Sequence, residues 1–137
     1  MRCVLKNDVS EIAPAAEEVA RFLRGQGVSP GALYLAHLVI EELVTNIIKY
    51  GYDDRAEHEI HIAVRLGDNR LMMEIADDGH PFNPCEAPAP DLSLPADQRP
   101  IGGLGLHLVR NLSDSFEYER RDKKNIVTIS KALNTGE

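Results

Sequence analysis

The spacing of hydrophobic residues predicts a β-hairpin near the middle of the chain. Every second residue is apolar in 58–66, and the alternation returns in 71–76 after the turn GDN. Alternation with a period of two is typical of a strand with one buried face, and a short glycine-containing turn between two such runs indicates a hairpin. Three further strands are predicted at residues 2–6, 115–121 and 125–133, the last two joined by the charged turn RDKKN.

Helical spacing of apolar residues predicts two helices, at about 10–25 and 29–50. Ser29 and Pro30 form the start signal of the second helix, because serine caps helices and proline is tolerated in the first turn. A third helix, at about 102–112, begins with glycines. Since the helices come mainly before the sheet, with one inserted in it, we expect an α+β fold. It would be a two-layer α/β sandwich rather than a doubly wound sheet.

The segment 79–101 interrupts this pattern and contains most of the chain's prolines. Proline-rich stretches without apolar periodicity are typical of loops, so we interpret this segment as a long mobile loop. A chain of 137 residues has the common length of one domain and can bury a core. We therefore expect a single domain over residues 1–137.

Composition and charge argue against a nucleic-acid partner. The net charge is −7, aromatic residues make up 5% of the chain, and tryptophan is absent. Nucleic acids are bound by basic surfaces and by aromatic stacking platforms. Cys3 and Cys85 form no metal-binding spacing, and the chain has neither a secretory segment nor an apolar run of about eighteen residues. We expect a cytoplasmic protein without direct contact to nucleic acid or membrane.

The stretch IEELVTNIIKY, residues 40–50, places three polar residues on one side of the second helix. At about 100° per residue, Glu42, Asn46 and Lys49 fall within about 60° of one another, beside an apolar face. A carboxylate that other elements cover needs a hydrogen-bonding partner or a metal, so this group indicates a pocket. The alternative is an ordinary solvent-exposed helix face.

The stretch MEIADDGHPFNP, residues 73–84, ends a strand with an inward carboxylate. The alternation puts Asp77 on the buried face and Asp78 on the opposite one. A buried carboxylate must accept hydrogen bonds, and an adenine amino group would serve if Gly79 lets the backbone approach a flat ring. The alternative is a simple Asp-Gly turn after a strand.

The stretch PIGGLGLHLVRNL, residues 100–112, begins a helix with glycines. Backbone N–H groups at the start of a helix point outward and favour anions, which suits phosphate oxygens. The stretch is neither a Walker A loop nor the dinucleotide-binding sequence G-x-G-x-x-G. By itself it does not distinguish a phosphate site from an ordinary turn into a helix.

Three motifs follow one another along the chain: E-x-x-x-N on a helix, D-x-G after a strand and G-x-G at the start of a later helix. In this order they resemble the N, G1 and G2 boxes of the GHKL ATPase superfamily. The resemblance covers about residues 8–133. It implies the Bergerat fold, a mixed and mostly antiparallel sheet with helices on one face. The form EELVTN followed by YGY, and the run GGLGLHLVRNLSDSFEY, look most like bacterial anti-sigma factor serine/threonine kinases such as RsbW and SpoIIAB.

The resemblance implies a role for each polar residue already singled out. Glu42 would be the general base that takes the proton from a substrate hydroxyl. Asn46 would ligate Mg²⁺ at the phosphates of ATP, and Lys49 would add positive charge there. Asp77 would bind the adenine amino group, and Gly79 would let the ring approach.

The G2 box and the loop before it would cover the triphosphate. The backbone amides implied are those of Gly102, Gly103, Leu104, Gly105 and Leu106. The proline-rich loop, at about 80–101, would be the ATP lid.

By resemblance, the protein would phosphorylate a serine or threonine of a STAS-type anti-sigma factor antagonist and would sequester a sigma factor by partner switching. Relatives are commonly homodimers, and residues 8–25 could supply the interface. Ile101 stands where an arginine often precedes the glycines, with Arg99 the nearest substitute. This departure favours an alternative, a non-catalytic ATP-binding module with nucleotide-dependent partner binding. A detached histidine-kinase catalytic domain is a third interpretation.

Overall fold

The computed structural model describes residues 1–84 and 103–133, with the backbone alone at Gly103 and Leu104. The loop predicted at 79–101 therefore falls outside the described residues from 85 onward, as do Arg99, Ile101 and Gly102.

The predicted helices and strands are all present, which confirms the α+β class. The strands are β1 (Arg2–Lys6), β2 (Glu59–Gly67), β3 (Arg70–Asp77), β4 (Ser115–Arg121) and β5 (Lys124–Ala132). The helices are α1 (Ile12–Gly25), α2 (Pro30–Val39), α3 (Thr45–Tyr50) and α4 (Gly103–Leu112). A π-helical segment (Ile40–Val44) joins α2 to α3, and a short 3₁₀ helix (Val9–Glu11) precedes α1.

The strands form one sheet in the order β1-β2-β3-β5-β4. A mixed, mostly antiparallel sheet was expected, and the four pairings within the described residues are all antiparallel. β5, and not β4, lies beside β3, and the two strands are antiparallel. The start of β5 therefore lies next to the end of β3. Asp77 is therefore the direct neighbour of Asn125 across the sheet.

Both predicted hairpins turn through two residues with positive φ. Asp68 and Asn69 have φ values of 53° and 59°, and Asp122 and Lys123 have 54° and 63°. Positive φ at both central residues is the signature of the type I′ turn, whose twist matches that of antiparallel strands. These tight turns fix the register of β2 with β3 and of β4 with β5.

One face of the sheet carries the core. The predicted alternation is confirmed, since the inward apolar residues of β2 and β3 join those of α1 and α2 in one hydrophobic cluster. Burying each large apolar side chain stabilises the fold by about 1.5–3 kcal/mol. The inward residues of this hairpin that are buried are Ile60, Ile62, Val64, Leu71, Met73 and Ile75.

The two long helices begin in different ways. As predicted, Ser29 caps α2: its Oγ accepts a hydrogen bond from the backbone N–H of Ala32 at 3.3 Å, and Pro30 is the first helical residue. The first helix starts differently from the prediction. Oδ1 of Asp8 accepts from the N–H of Ser10 at 2.9 Å and caps the 3₁₀ helix, whereas Glu11, the N-cap of α1, makes no side-chain capping bond. Regular α-helix then begins at Ile12, after the 3₁₀ turn.

The helix Pro30–Tyr50 has 21 residues and by length and composition could cross a membrane. Part of its apolar surface is instead packed inside the protein. Val39, Ile40 and Val44 are fully buried in the core formed with the sheet. This burial is the pattern of a central core helix, and it holds the polar residues of the same helix at a fixed place beside the sheet.

That helix is not uniform, because Ile40–Val44 form a π-helical turn. In a π-helix each N–H bonds to the carbonyl five residues earlier, so the chain advances by a smaller angle per residue than in an α-helix. The assumption of regular α-helical spacing from Glu42 to Lys49 was therefore wrong across this turn. Single π turns occur frequently at functional sites, and this one contains Glu42.

Candidate functional site

The predicted polar group spans the π turn and α3. Glu42 lies in the π turn and is half-buried, Asn46 is half-buried in the first turn of α3, and Lys49 is exposed near its end. Burial raises the pKa of the Glu42 carboxyl, the Glu41 carboxylate raises it further, and the Lys49 ammonium opposes both. The carboxylate is thus partly removed from water, unlike one on an open helix face.

Helix α4 packs directly against Glu42. At Gly105 an added methyl group would overlap the carboxylate of Glu42, so a side chain at position 105 would displace this carboxylate from its place. The structure thereby brings the first and third sequence motifs together. The sequence interpretation had assigned Gly105 a phosphate-binding amide and missed this contact with Glu42.

The other predicted phosphate-binding residues have different positions. Gly103 and Leu104 form the backbone of the first turn of α4. Leu106 is buried in the core, so only its backbone could contact a ligand. Gly102 lies outside the described residues. Whether these amides bind phosphate stays a prediction.

Asp77 is the inward carboxylate that the alternation predicted. The residue is only 6% exposed, whereas Asp78 is exposed. Its Oδ1 accepts two hydrogen bonds, from the backbone N–H of Gly79 at 2.8 Å and from Nδ2 of Asn125 at 3.0 Å. Burial raises the pKa of the Asp77 carboxyl, and these two hydrogen bonds oppose that rise.

Asn125, which the sequence interpretation missed, is the main side-chain partner of Asp77. It is 5% exposed and lies at the start of β5 on the face that also carries Val127 and Ile129. Asp77 was identified as a polar residue at an inward position of an alternating strand, and Asn125 shows the same pattern. The sequence therefore contained this signal, although it did not reveal which residue lies opposite on the sheet.

Gly79 lies where three parts of the chain meet. The N–H of the next residue, His80, donates to the carbonyl of Gly51 at 2.8 Å. Nη1 of Arg120 on β4 donates to the carbonyl of Gly79, also at 2.8 Å. A methyl group on Gly79 would lie 2.6 Å from the Gly51 carbonyl oxygen, closer than real contacts allow. Glycine is thus required here by a backbone contact as well as by any approaching ligand.

A histidine joins the loop after α3 to the end of β3. Nε2 of His58 lies 2.8 Å from a carboxylate oxygen of Asp54, and Nδ1 lies 3.2 Å from one of Asp78. The ring stacks on Tyr52 with centroids 4.1 Å apart. The Asp54 hydrogen bond is the main cause that raises the pKa of His58, and Asp78 adds to it. Because the carboxylates occupy opposite ring nitrogens, they form an ion-pair bridge rather than a chelating group.

The donor set fits magnesium held largely by a nucleotide. Within residues 1–84 and 103–133, no group of three or more histidine, cysteine, aspartate or glutamate side chains could hold a metal. Mg²⁺ is commonly bound through one or two protein oxygens together with phosphates and waters, rather than by a protein cage. The side-chain oxygen of Asn46, one turn from Glu42, is a suitable single ligand of this kind.

Comparison with known protein families agrees with this arrangement. Residues 5–131 match the histidine kinase-like ATPase domain. The match covers the π turn, the Asp77–Asn125 pair and α4. The chain belongs to the histidine kinase-like ATPase domain family, which confirms the predicted superfamily.

Its relatives include named protein kinases. The chain is 30% identical to the serine/threonine-protein kinase BtrW of Bordetella bronchiseptica over 93 residues, 68% of this chain and 66% of BtrW. It is 36% identical to the serine-protein kinase RsbW of Bacillus thuringiensis over 84 residues, 58% of this chain and 52% of that protein. The matches thus span about half to two thirds of the length of these relatives.

Solved structures agree on the fold. The RsbU and RsbW domains of Rv1364c from Mycobacterium tuberculosis superpose with a TM-score of 0.67 at 14% identity, over 97% of this chain and 31% of that one. The histidine kinase AdeS of Acinetobacter baumannii gives a TM-score of 0.51 at 16% identity, over 97% and 68% of the two chains. The predicted sandwich, with its sheet and covering helices, is therefore confirmed.

The contact between Gly79 and Gly51 predicts a strong effect of one methyl group. We expect Gly79→Ala to lower the free energy of unfolding by about 1–3 kcal/mol, because backbone atoms must shift to admit the methyl group. Urea unfolding would measure the change. Gly67→Ala is the matched control, since a methyl group there meets nothing within 4 Å. Equal stability of the two variants would contradict the packing role of Gly79.

The His58 bridge predicts a pH-dependent stability. The pKa of His58 is raised in the folded state. The contribution of the bridge to the free energy of unfolding is therefore fully present below the ordinary histidine pKa of 6.5, and it is lost as the pH rises through the pKa of the folded state. We expect the difference in melting temperature between wild type and His58→Gln to shrink as the pH is raised above 6.5. His61→Gln, which changes an exposed histidine on β2, is the control. A difference independent of pH would refute the charged bridge.

Proposed function

We propose that this protein is an ATP- and Mg²⁺-dependent serine/threonine kinase that acts as an anti-sigma regulatory factor. The observation that carries the proposal is the packing of the Glu42 carboxylate against Gly105 in the first turn of α4. It places a partly desolvated carboxylate beside the helix start where phosphate groups are favoured. The kinase names of BtrW and RsbW support the same reaction.

The nucleotide base would be recognised by Asp77. Within the described residues, two donors bind this carboxylate, the N–H of Gly79 and Nδ2 of Asn125, and both bond to Oδ1. Oδ2 is left to accept a hydrogen bond from the exocyclic amino group of adenine. The buried position strengthens such a bond, because water does not compete for the carboxylate. Gly79, next to this oxygen, would let the ring lie close to the backbone.

The phosphates would be held between α3 and α4. Asn46 would coordinate Mg²⁺. When bound there, this ion would neutralise part of the phosphate charge. Lys49, exposed at the end of α3, would add a positive charge, and the backbone amides from Gly103 to Leu106 would bind phosphate oxygens. The proline-rich segment at about 80–101 would close over them as the ATP lid, within a single domain formed by residues 1–137.

Glu42 would act as the general base. It would accept the proton of a serine or threonine hydroxyl, whose oxygen attacks the γ-phosphorus while the bond to the β-phosphate oxygen breaks and ADP leaves. Phosphoryl transfer depends mainly on positioning and charge stabilisation, so one carboxylate is sufficient as the base. Burial raises the pKa of Glu42, which makes it a stronger proton acceptor at neutral pH.

The substrate would be a STAS-domain anti-sigma factor antagonist, and the same protein would hold a sigma factor once the antagonist is phosphorylated. This partner switching would regulate transcription in the cytoplasm without direct contact to nucleic acid or membrane. The chain would work as a homodimer through residues 8–25. The second candidate is a non-catalytic nucleotide-dependent binding module, which Ile101 favours because it stands at the family's usual arginine position.

Glu42→Gln should separate catalysis from binding. We expect the transfer of label from γ-labelled ATP to a STAS-domain protein to fall at least about 100-fold, since the variant lacks the general base. ATP binding, measured by calorimetry, should stay close to that of wild type. Glu41→Gln is the matched control and should retain transfer. A wild-type protein that binds ATP and the STAS protein without transferring phosphate would instead favour the binding module.

Asp77→Asn should weaken nucleotide binding. We expect ATP affinity to fall roughly tenfold or more, because a hydrogen bond to a charged acceptor contributes about 1.5–3 kcal/mol. Asp78→Asn, one residue on and exposed, is the control and should bind ATP nearly as wild type does. Unchanged affinity in Asp77→Asn would refute the assignment of the adenine site.

A further inference from the structure

The side chain of Asn125 uses its full hydrogen-bonding capacity. Nδ2 donates to Oδ1 of Asp77 at 3.0 Å and to the backbone carbonyl of His80 at 2.7 Å. Oδ1 accepts from the hydroxyl of Tyr118 at 2.6 Å and from the backbone N–H of Phe82 at 3.3 Å. An amide offers two donor hydrogens and two acceptor positions, so all four are occupied.

These four partners fix the orientation of the amide. Rotating it by 180° would set its oxygen against two acceptors, Asp77 and the carbonyl of His80, and its nitrogen against the N–H of Phe82. Asn125 is also almost fully buried, so water cannot replace a lost partner. The nitrogen is therefore held toward Oδ1 of Asp77 by contacts from β4 and from the residues that follow β3.

We propose that Asn125 is a positioning and specificity-determining residue: it holds Asp77 as an acceptor with Oδ2 free, so that the site selects a 6-amino purine over a 6-oxo purine. The inference rests on the proposed nucleotide site and extends it to a residue on β5. Asn125 acts through Asp77 and need not touch the nucleotide itself.

The selectivity follows from the protonation state of Asp77. An ionised carboxylate accepts the amino hydrogen of adenine but faces the oxygen of a 6-oxo purine with negative charge. A protonated carboxyl can donate to that oxygen instead. The hydrogen bond from Asn125 is the largest influence that lowers the pKa of Asp77 against the effect of burial. Removing it therefore raises the protonated fraction and weakens the preference for adenine.

Other charged or titratable groups also face this carboxylate. Asp78 follows it directly after β3 and Arg120 faces it from β4, with opposite effects on its pKa. Tyr52, in the loop after α3, lies close enough for Asp77 to affect its pKa. Variants of Asn125 leave all three in place, so a changed titration of Asp77 reports on the amide.

The test compares Asn125→Leu with wild type by two measurements. The first is titration of the Asp77 side-chain carboxyl by carbon-13 NMR without nucleotide, in which we expect a higher pKa in the variant. The second is calorimetric binding of ATP and of ITP, which carries a 6-oxo purine, between about pH 5 and 8. We expect the preference for ATP over ITP at pH 7 to fall at least about tenfold, and ATP binding to be lost at a higher pH on acidification.

Two further variants make the result decisive. Tyr118→Phe removes one donor to the Asn125 oxygen without touching Asp77, and we expect smaller changes in the same direction. It replaces Asn125→Leu if that variant does not fold. Thr128→Val, on the same strand but on the other face of the sheet, is the control and should leave both readouts unchanged.

The outcomes separate this inference from the proposed function. A folded variant with an unchanged Asp77 titration and an unchanged ratio of ATP to ITP affinity would overturn it, as would an equal loss of both affinities. If wild type binds neither nucleotide but Asn125→Leu still raises the pKa of Asp77, the positioning of Asp77 by Asn125 is supported. The missing nucleotide binding would overturn the proposed ATP site and, with it, the role of Asn125 in base selection.

Discussion

A buried carboxylate has to be held by hydrogen-bond donors, and the pairing of β3 with β5 is what supplies them to Asp77. The strand order places Asn125 directly opposite Asp77, and the turn after β3 adds the N–H of Gly79. An unpaired carboxylate at this depth would be neutral or strongly destabilising. The crossover that inserts α4 before the β4–β5 hairpin therefore serves the site, because it delivers β5 to the edge of β3.

The second constraint acts between helices. The π turn presents Glu42 toward α4, and the absence of a side chain at Gly105 lets the two elements touch. Val44 on the same turn and Leu106 on α4 are buried in the common core. Apolar packing thus holds in place the two elements between which the Glu42 carboxylate lies.

Local sequence patterns predicted much of this fold because they depend on neighbours in the chain. Alternation identified the inward position of Asp77, and the Ser29-Pro30 signal located the start of α2. The contacts of Asn125 and Gly105 could not be predicted in this way, because they depend on which strands and helices become neighbours. The π turn was missed as well, since the regular apolar spacing of 29–50 resembles that of an unbroken α-helix. Lys49 is exposed, and the angle from which its place was predicted is one that the π turn alters.

The approach of Gly51 to Gly79 has an evolutionary consequence. It is a contact of backbone with backbone, so substitution can alter it only by adding a side chain at a glycine, which the spacing does not permit. This backbone contact is therefore closed to gradual mutational adjustment. The contacts that β4 and β5 make here use the side chains of Arg120 and Asn125, where conservative replacements are possible. Evolutionary change around Asp77 and Gly79 would have to originate on the strand side.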